Sequence, residues 1–397
     1  MPVRDNITAL AGEMRDWRHH LHAHPETAYE EYATADFIAA KLGEWGIAVS
    51  RGLAGTGVIG TLRVGESGRA IGLRADMDAL HLDESNRFTH TSRTAGKMHA
   101  CGHDGHMAML LGAASHLAQT RNFDGTVYFI FQPAEENEAG ARRMTEEGLF
   151  ELFPMDAVFG MHNFPMIPEG QIVVRPGPMM ASADFFEVKV TGRGAHGAWP
   201  HTGIDAISIA SEIVLAFNQI VARTIDPLES AVVSVTMFNA GHSTNVLPET
   251  ATIAGSTRTF SLAVQDHLEQ RMRQLCEGIA AAHGATVTFE YDRRYPPTLN
   301  HPAETEFAAA AAERIVGPDN VLRNERPVMG SEDFAWMLLR KAGSYVWIGN
   351  GPEHQGGCML HNPGYDFNDR ILPIGASYWV ELAESWLSTE RKDGDTQ

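Results

Sequence analysis

Gly125-Thr126-Val127-Tyr128-Phe129-Ile130-Phe131 is an unbroken uncharged, largely apolar run that ends in Gln132-Pro133-Ala134-Glu135-Glu136, a turn followed by two carboxylates. A run of that kind is what a strand buried on both faces needs, because neither side of the pleat meets water. Working outward, residues 57–64 and 70–74 before it are short β-like runs, and 157–161 and 345–349 after it are further apolar runs. Between them lie stretches at helical spacing: 7–20, closed by Pro25; 30–42, with Gly43 behind it; and 107–118. Strands alternating with helices predict an α/β fold with a mostly parallel central sheet covered by helices, where ligands gather at the carboxyl ends of the strands. Potential ligands and acids stand at those ends: Asp76 and Asp78, Glu135 and Glu136, His162 with Asn163, and His361 in Cys358-Met359-Leu360-His361.

From about 183 to 295 the texture changes. Strand-like alternation at 184–191, 231–238, 250–260 and 286–291 encloses two helical stretches, 203–221 and 262–283. The order β-α-β-β-α-β is a ferredoxin-like sandwich complete in itself. The expected organisation is therefore a discontinuous catalytic domain, 1–182 with 296–397, interrupted by an inserted domain, 183–295.

A chain of 397 residues is too long for one ordinary core, in keeping with that division. Hydrophobic residues at 44% and charged residues at 20% are the proportions of a soluble globular protein. No run is read as a membrane span and the start lacks a leader pattern, so a cytoplasmic location is expected. Three cysteines, Cys101, Cys276 and Cys358, argue against a disulfide framework and leave a thiol for chemistry. A net charge of −19 opposes phosphate backbones and anionic lipid, so neither nucleic acid nor a membrane is expected as a partner.

The chemistry centres on His99-Ala100-Cys101-Gly102-His103-Asp104-Gly105-His106. Cys101 and His103 share a face of an extended segment, and a thiolate with an imidazole suits zinc or a similar first-row ion. Taken alone, the stretch reads equally as a buried cysteine beside a helix start. Five candidate ligands, Cys101, His103, Glu136, His162 and His361, are too many for one tetrahedral ion and suit two if one group bridges. Glu136 can ligate while its neighbour Glu135 holds a proton over an attacking water. Asp76, Asp78 and Asp104 are expected to orient ligand imidazoles, Asp78 foremost, with a turn-forming role the rival for Asp104. The histidines of His20-Leu21-His22-Ala23-His24 are expected to be structural.

RADMDAL, HACGHDGHMAMLLGAA, FQPAEE, MHN, GRGAHGAWPH, NVLPETA, GSEDF and LHNPGYDFND, in this order, resemble the metallo-amidohydrolase and carboxypeptidase family that contains aminoacylases, hippurate hydrolases and plant auxin-conjugate hydrolases. The resemblance covers nearly the whole chain. It implies a zinc-exopeptidase-like catalytic domain and two divalent ions per subunit, zinc or manganese, held by Cys101, His103, Glu136, His162 and His361, with Glu135 as general base. It implies that the inserted domain is a lid through which homodimers or higher homo-oligomers form. His196 would then reach a neighbouring subunit's site and hydrogen-bond the developing oxyanion. Other branches carry His-x-Asp at Asp76-Met77-Asp78 and an aspartate at Cys101, so here a bridging Cys101 thiolate is expected.

Asn245 is expected to assist at the oxyanion, and Arg258 to meet a substrate carboxylate. Gly330 and Ser331 either contact that carboxylate or begin a helix over 332–339. His201 reads as a second polar group beside His196, or as part of a glycine- and proline-shaped turn. The activity implied is hydrolysis of N-acyl amino acids to a carboxylic acid and a free amino acid. The alternatives are a metallo-dipeptidase or carboxypeptidase, a thiol hydrolase using Cys101, and a non-catalytic metal- or amino-acid-binding protein.

Overall fold

A computed structural model describes residues 5–136, 138–352 and 358–388. The chain divides into two compact units. The first runs to Gly177 and resumes over Asn300–Arg326 and from Trp336 onward; the second is Pro178–Leu299 with Pro327–Ala335. In chain order the main strands begin with β1 (Ala48–Arg51), β2 (Val58–Val64), β3 (Ala70–Asp76), β4 (Gly125–Gln132), β5 (Ala157–Phe164) and β6 (Ile172–Val173). They continue with β7 (Ala183–Thr191), β8 (Ala231–Ala240), β9 (Thr250–Thr259), β10 (Thr286–Tyr295), β11 (Val321–Leu322) and β12 (Gly343–Gly349). The longer helices are α1 (Ala11–Ala23), α2 (Tyr32–Glu44), α3 (His103–Thr120), α4 (Ala206–Thr224), α5 (Leu262–Ala282), α6 (Pro302–Val316) and α7 (Leu372–Trp386).

The first unit is built on one sheet in the order β1-β2-β4-β3-β5-β12-β6-β11. Its centre, β4-β3-β5-β12, is parallel throughout, and β1, β2 and β6 run antiparallel to their inner neighbours. All residues of β3, β4 and β12 are buried, which is why those runs carry no polar alternation. Helix α3 is buried on every face from His103 to Leu117 and packs against α1 and α7, so its 107–114 stretch is apolar all round rather than amphipathic. From β3 the chain crosses to β4 on one side, then returns to β5 on the other. That reversal opens a crevice beyond the carboxyl ends of β3, β4 and β5.

The second unit is a four-stranded antiparallel sheet, β8-β9-β7-β10, carrying α4 and α5. Along β7 buried and less buried positions alternate, as a one-faced strand requires. Helix α4 is long and apolar enough to cross a membrane by length and composition, which the sequence reading did not anticipate. Its Ile209, Ile213, Phe217 and Ile220 form a buried stripe within this unit's core.

The helix expected over 332–339 is reduced to Ala335–Leu338. Just ahead of it the backbone is tied to another extended stretch instead: Val328 N–H donates to the Met179 carbonyl at 3.2 Å, and Ala181 N–H to that of Gly330 at 2.9 Å.

The histidines of α1 are structural. His20 and His24 lie at the surface with their rings tilted against each other, and His20 stacks on Phe37. His22 is fully buried, with Nδ1 2.9 Å from Asp104 Oδ2 and Nε2 3.1 Å from Glu84 Oε1. Burial alone would depress its pKa, but the hydrogen bonds to Asp104 and Glu84 outweigh that and lift it to about 9. The imidazolium therefore donates from both nitrogens. A group whose folded pKa is raised gives stability that is complete below its unfolded pKa, roughly 6.5, and is lost as pH rises through the folded value. The urea midpoint should therefore fall between about pH 6.5 and 9, a loss on the order of a few kcal/mol. The slope should flatten in H22Q; the same slope in both proteins would show that another group is titrating.

Candidate metal centre

Every group expected to ligate lies in the first unit, in the switch-point crevice. Cys101 closes the loop ahead of α3, and His103 is the first residue of that helix. Gly102 between them has φ +94°, and a Cβ there would collide with Asn163 Oδ1 and crowd the Tyr365 hydroxyl. Only glycine turns the chain so sharply here. Glu136 follows β4, His162 lies near the end of β5, and His361 enters from the segment after β12 with φ +63°. The His361 N–H is tied to the Ala100 carbonyl at 2.8 Å, which fixes it against the central motif.

Ligating atoms of Cys101, Glu136 and His361 lie within 4.8 Å of one another, as do those of His103, Glu135 and Glu136. Cys101 Sγ is also 3.4 Å from His162 Nε2, so the thiol touches both sides of the cluster. His103 donates from Nδ1 to the Asp78 carbonyl at 2.8 Å, which leaves Nε2 buried and without a partner. His162 likewise donates from Nδ1 to the Asn163 carbonyl at 2.6 Å and turns Nε2 inward. His361 Nε2 and Glu136 Oε1 face each other at 3.2 Å, yet Glu136 Oε1 has no partner of hydrogen-bond geometry. Buried, unpartnered acceptors aimed at one point are expensive unless a cation completes them.

The electrostatics agree. Burial should lower the His103 pKa, but Asp76, Asp78 and Glu136 lift it to about 10. The pocket is negative enough to draw in a proton, and a divalent ion supplies the same compensation. Burial, reinforced by Glu136, Glu135 and Asp76, pushes the Cys101 thiol well above its ordinary value. Burial and neighbouring His106 hold His162 well below its own. A thiol held in its protonated form beside an uncharged imidazole is a latent ligand that gives up its proton when a cation arrives, which favours a metal centre over the thiol-hydrolase alternative.

Of the three aspartates, Asp78 makes the closest contacts with the expected ligands, while Asp76 Oδ2 stands 3.8 Å from His103 Nε2. Besides its carbonyl bond to His103, Asp78 places Oδ1 3.3 Å from His103 Nδ1, and its Oδ2 accepts the Glu136 N–H at 2.8 Å. Asp78→Ala should weaken metal binding about 10- to 100-fold, measured by competition with a chromophoric chelator; unchanged affinity would make Asp78 merely structural. Asp76 instead holds His106, at 2.6 Å from its Nδ1, and pairs with buried Arg74 at 2.7 Å. His106 Nε2 is engaged by Asn163, so this imidazole, unassigned from sequence, braces the centre from beneath without ligating. Asp104 orients no ligand: it binds His22 and fully buried Arg18, which also meets Asp366 and Asp369. Successive helical residues point about 100° apart, so the residue after His103 faces α1.

The remaining expected residues lie in the second unit, in two pairs. His196 bridges Val246, and the Gly197 N–H donates to the Asn245 carbonyl at 2.8 Å. His196 Nδ1 accepts from the Ala198 N–H at 3.0 Å, which places the proton of the neutral, exposed ring on Nε2. Asn245 Oδ1 accepts from Ser243, leaving its amide hydrogens outward. Arg258, with its charge disfavoured by burial, reaches Ser331 Oγ at 3.3 Å beside exposed Gly330. Among the described residues it forms no ion pair. His201 sits exposed in a one-turn helix, Pro200–Thr202.

A mixed sheet with a thiol, imidazoles and paired carboxylates converging at its switch point defines a metal-dependent hydrolase. The chain belongs to the peptidase family M20/M25/M40, whose match spans residues 72–385. It is 41% identical over 387 residues to the hippurate hydrolase of Campylobacter jejuni, covering 98% of this chain and all of that one. It is 39% identical over 395 residues to an Arabidopsis thaliana IAA-amino acid hydrolase, ILR1-like 2, covering 97% and 89% of the two chains. Among solved structures, the Bacillus subtilis YXEP protein, a dinuclear metal-binding peptidase of family M20, superposes with a TM-score of 0.84 at 35% identity, covering 96% and 100%.

Proposed function

We propose that this chain hydrolyses the amide bond of N-acyl amino acids, releasing a carboxylic acid and a free amino acid. The observation that carries the reading is the grouping of Glu135 with His103 and Glu136 against Cys101, His162 and His361. Cys101, His103, Glu136, His162 and His361 would hold two divalent cations, which would supply Lewis acidity and water activation at neutral pH. Cys101 lies in contact with both sides of the cluster, and the softness of its thiolate would favour zinc over manganese.

Glu135 takes the proton of the attacking water and passes it to the departing nitrogen, which leaves as an amine rather than an amide anion. His196, with its proton on Nε2, donates to the oxyanion from a neighbouring copy of the chain, and the outward amide of Asn245 assists. Arg258 and the Gly330–Ser331 turn receive the carboxylate of the amino acid. The second unit thus serves as lid and homodimer contact. The location is cytoplasmic, where a reduced Cys101 is kept available for metal.

A metallo-dipeptidase reading is favoured by the peptidase named among the solved relatives. Metal analysis of the purified protein, combined with a hydrolysis screen on acetyl, benzoyl and indoleacetyl amino acids against unblocked dipeptides, separates the two. Turnover of the acylated set is the expected result. Turnover of dipeptides alone would move the assignment to peptidase, and metal binding without turnover of either set would leave a binding protein.

A further inference from the structure

Resting on the amidohydrolase reading, we propose that Glu31 is a positioning residue for the general base: it locks the turn that aims Glu135. Glu31 is fully buried at the start of α2. Its Oε1 accepts the Ala134 N–H at 2.9 Å and its Oε2 accepts the Thr56 hydroxyl at 2.6 Å. Ala134 immediately precedes Glu135 and has φ +56°, a left-handed conformation that a residue with a Cβ adopts only when its surroundings impose it.

Other hydrogen bonds hold the turn on either side of the Ala134 amide, among them that from Gln132 Nε2 to the Pro133 carbonyl at 3.2 Å. Pro133 has no N–H, and the Gln132 carbonyl is taken by the Met77 N–H at 2.9 Å. The Ala134 carbonyl accepts the Gly140 N–H at 2.9 Å, and Asp78 takes the Glu136 N–H at 2.8 Å. Glu31 and Asp78 therefore grip the chain on either side of Glu135. Asp78 serves the expected ligands Glu136 and His103, whereas Glu31 touches neither of them and holds Ala134, the residue ahead of the base, with its other oxygen on Thr56. Without Glu31, Ala134 relaxes toward the right-handed or extended region and carries the Glu135 carboxylate off its line, while the ligands keep their own supports.

The test compares wild type, E31A, E31Q, T56V, A134G and E31A/A134G for bound metal, for kcat and KM on N-benzoylglycine, and for hydrogen exchange at the Ala134 amide. E31A is expected to keep its metal and its KM within about threefold while kcat falls about 100-fold, the order that a misplaced catalytic group costs. E31Q retains an acceptor for Ala134 and should recover most of that loss, and T56V should show a smaller fall in kcat. Glycine adopts the left-handed conformation freely, so removing Glu31 should cost less kcat in the A134G background than in wild type. A kcat unchanged in E31A, a loss matched by lost metal, or an equal loss in both backgrounds would overturn the proposal. Exchange at Ala134 should accelerate in E31A while β4 stays protected, and equal protection would also overturn it. That readout needs no turnover: a wild type inactive on every acyl amino acid would sink the amidohydrolase reading while exchange still decides whether Glu31 holds the turn.

Discussion

Glu135→Gln is expected to retain bound metal and native stability while kcat on an N-acyl amino acid falls about 10³-fold, within the usual range for loss of a general base. The substitution keeps the shape of the side chain, and Glu135 is not needed to complete the ligand set: Cys101, His103, Glu136, His162 and His361 remain. What disappears is the only role a glutamine cannot fill, holding the water's proton until the nitrogen departs. Metal quantification and steady-state kinetics on the same preparation check it. Metal bound as in wild type with undiminished turnover would refute the assignment, and loss of metal would make Glu135 a ligand instead.

Chelation should have a still larger effect. Protein stripped of metal is expected to lose all measurable turnover and to regain it on addition of zinc or manganese, since none of the remaining groups can polarise a carbonyl or acidify water as a divalent ion does. Stripping should also be pH-dependent. The Cys101 thiol, pushed well up by burial and by Glu136, Glu135 and Asp76, must lose its proton to bind. Metal uptake therefore releases protons and weakens as pH falls. Activity persisting at trace metal content would refute the metal-dependent mechanism.

Much of this centre was legible in sequence because it obeys two local rules. Buried parallel strands announce themselves as apolar runs, and the residues just past their ends fall at the switch point. Those rules locate Glu135, Glu136 and His162 without knowledge of the tertiary pairing. Cys101 and His103 were legible from their two-residue spacing, and His361 from its place beyond the apolar run 345–349. What escaped depends on contacts between distant segments. Glu31 stands among Glu26, Glu30 and Glu31 with nothing local to mark it as the one that is buried, and only the register of α2 against the β4 turn singles it out. The tie between 327–335 and Met179–Ala181 escaped for the same reason, as a pairing between backbones remote in sequence. Asp104 was misread because adjacency along the chain was taken for adjacency in space, and a helix turns such neighbours apart. Asp76 faces the expected ligand His103 at 3.8 Å, but its hydrogen bond goes to His106, one turn further along α3 than His103.

Because the ligands come from four segments, with His361 entering only after the interrupting unit has been traversed, loading cannot keep pace with synthesis. A nascent chain emerging from the ribosome offers Cys101, His103, Glu136 and His162 early, but one ion lacks its imidazole until the final strand and the segment beyond it have emerged. The order of the chain therefore sets an order on the site: its full set of candidate ligands exists only once the segment beyond β12 has been made.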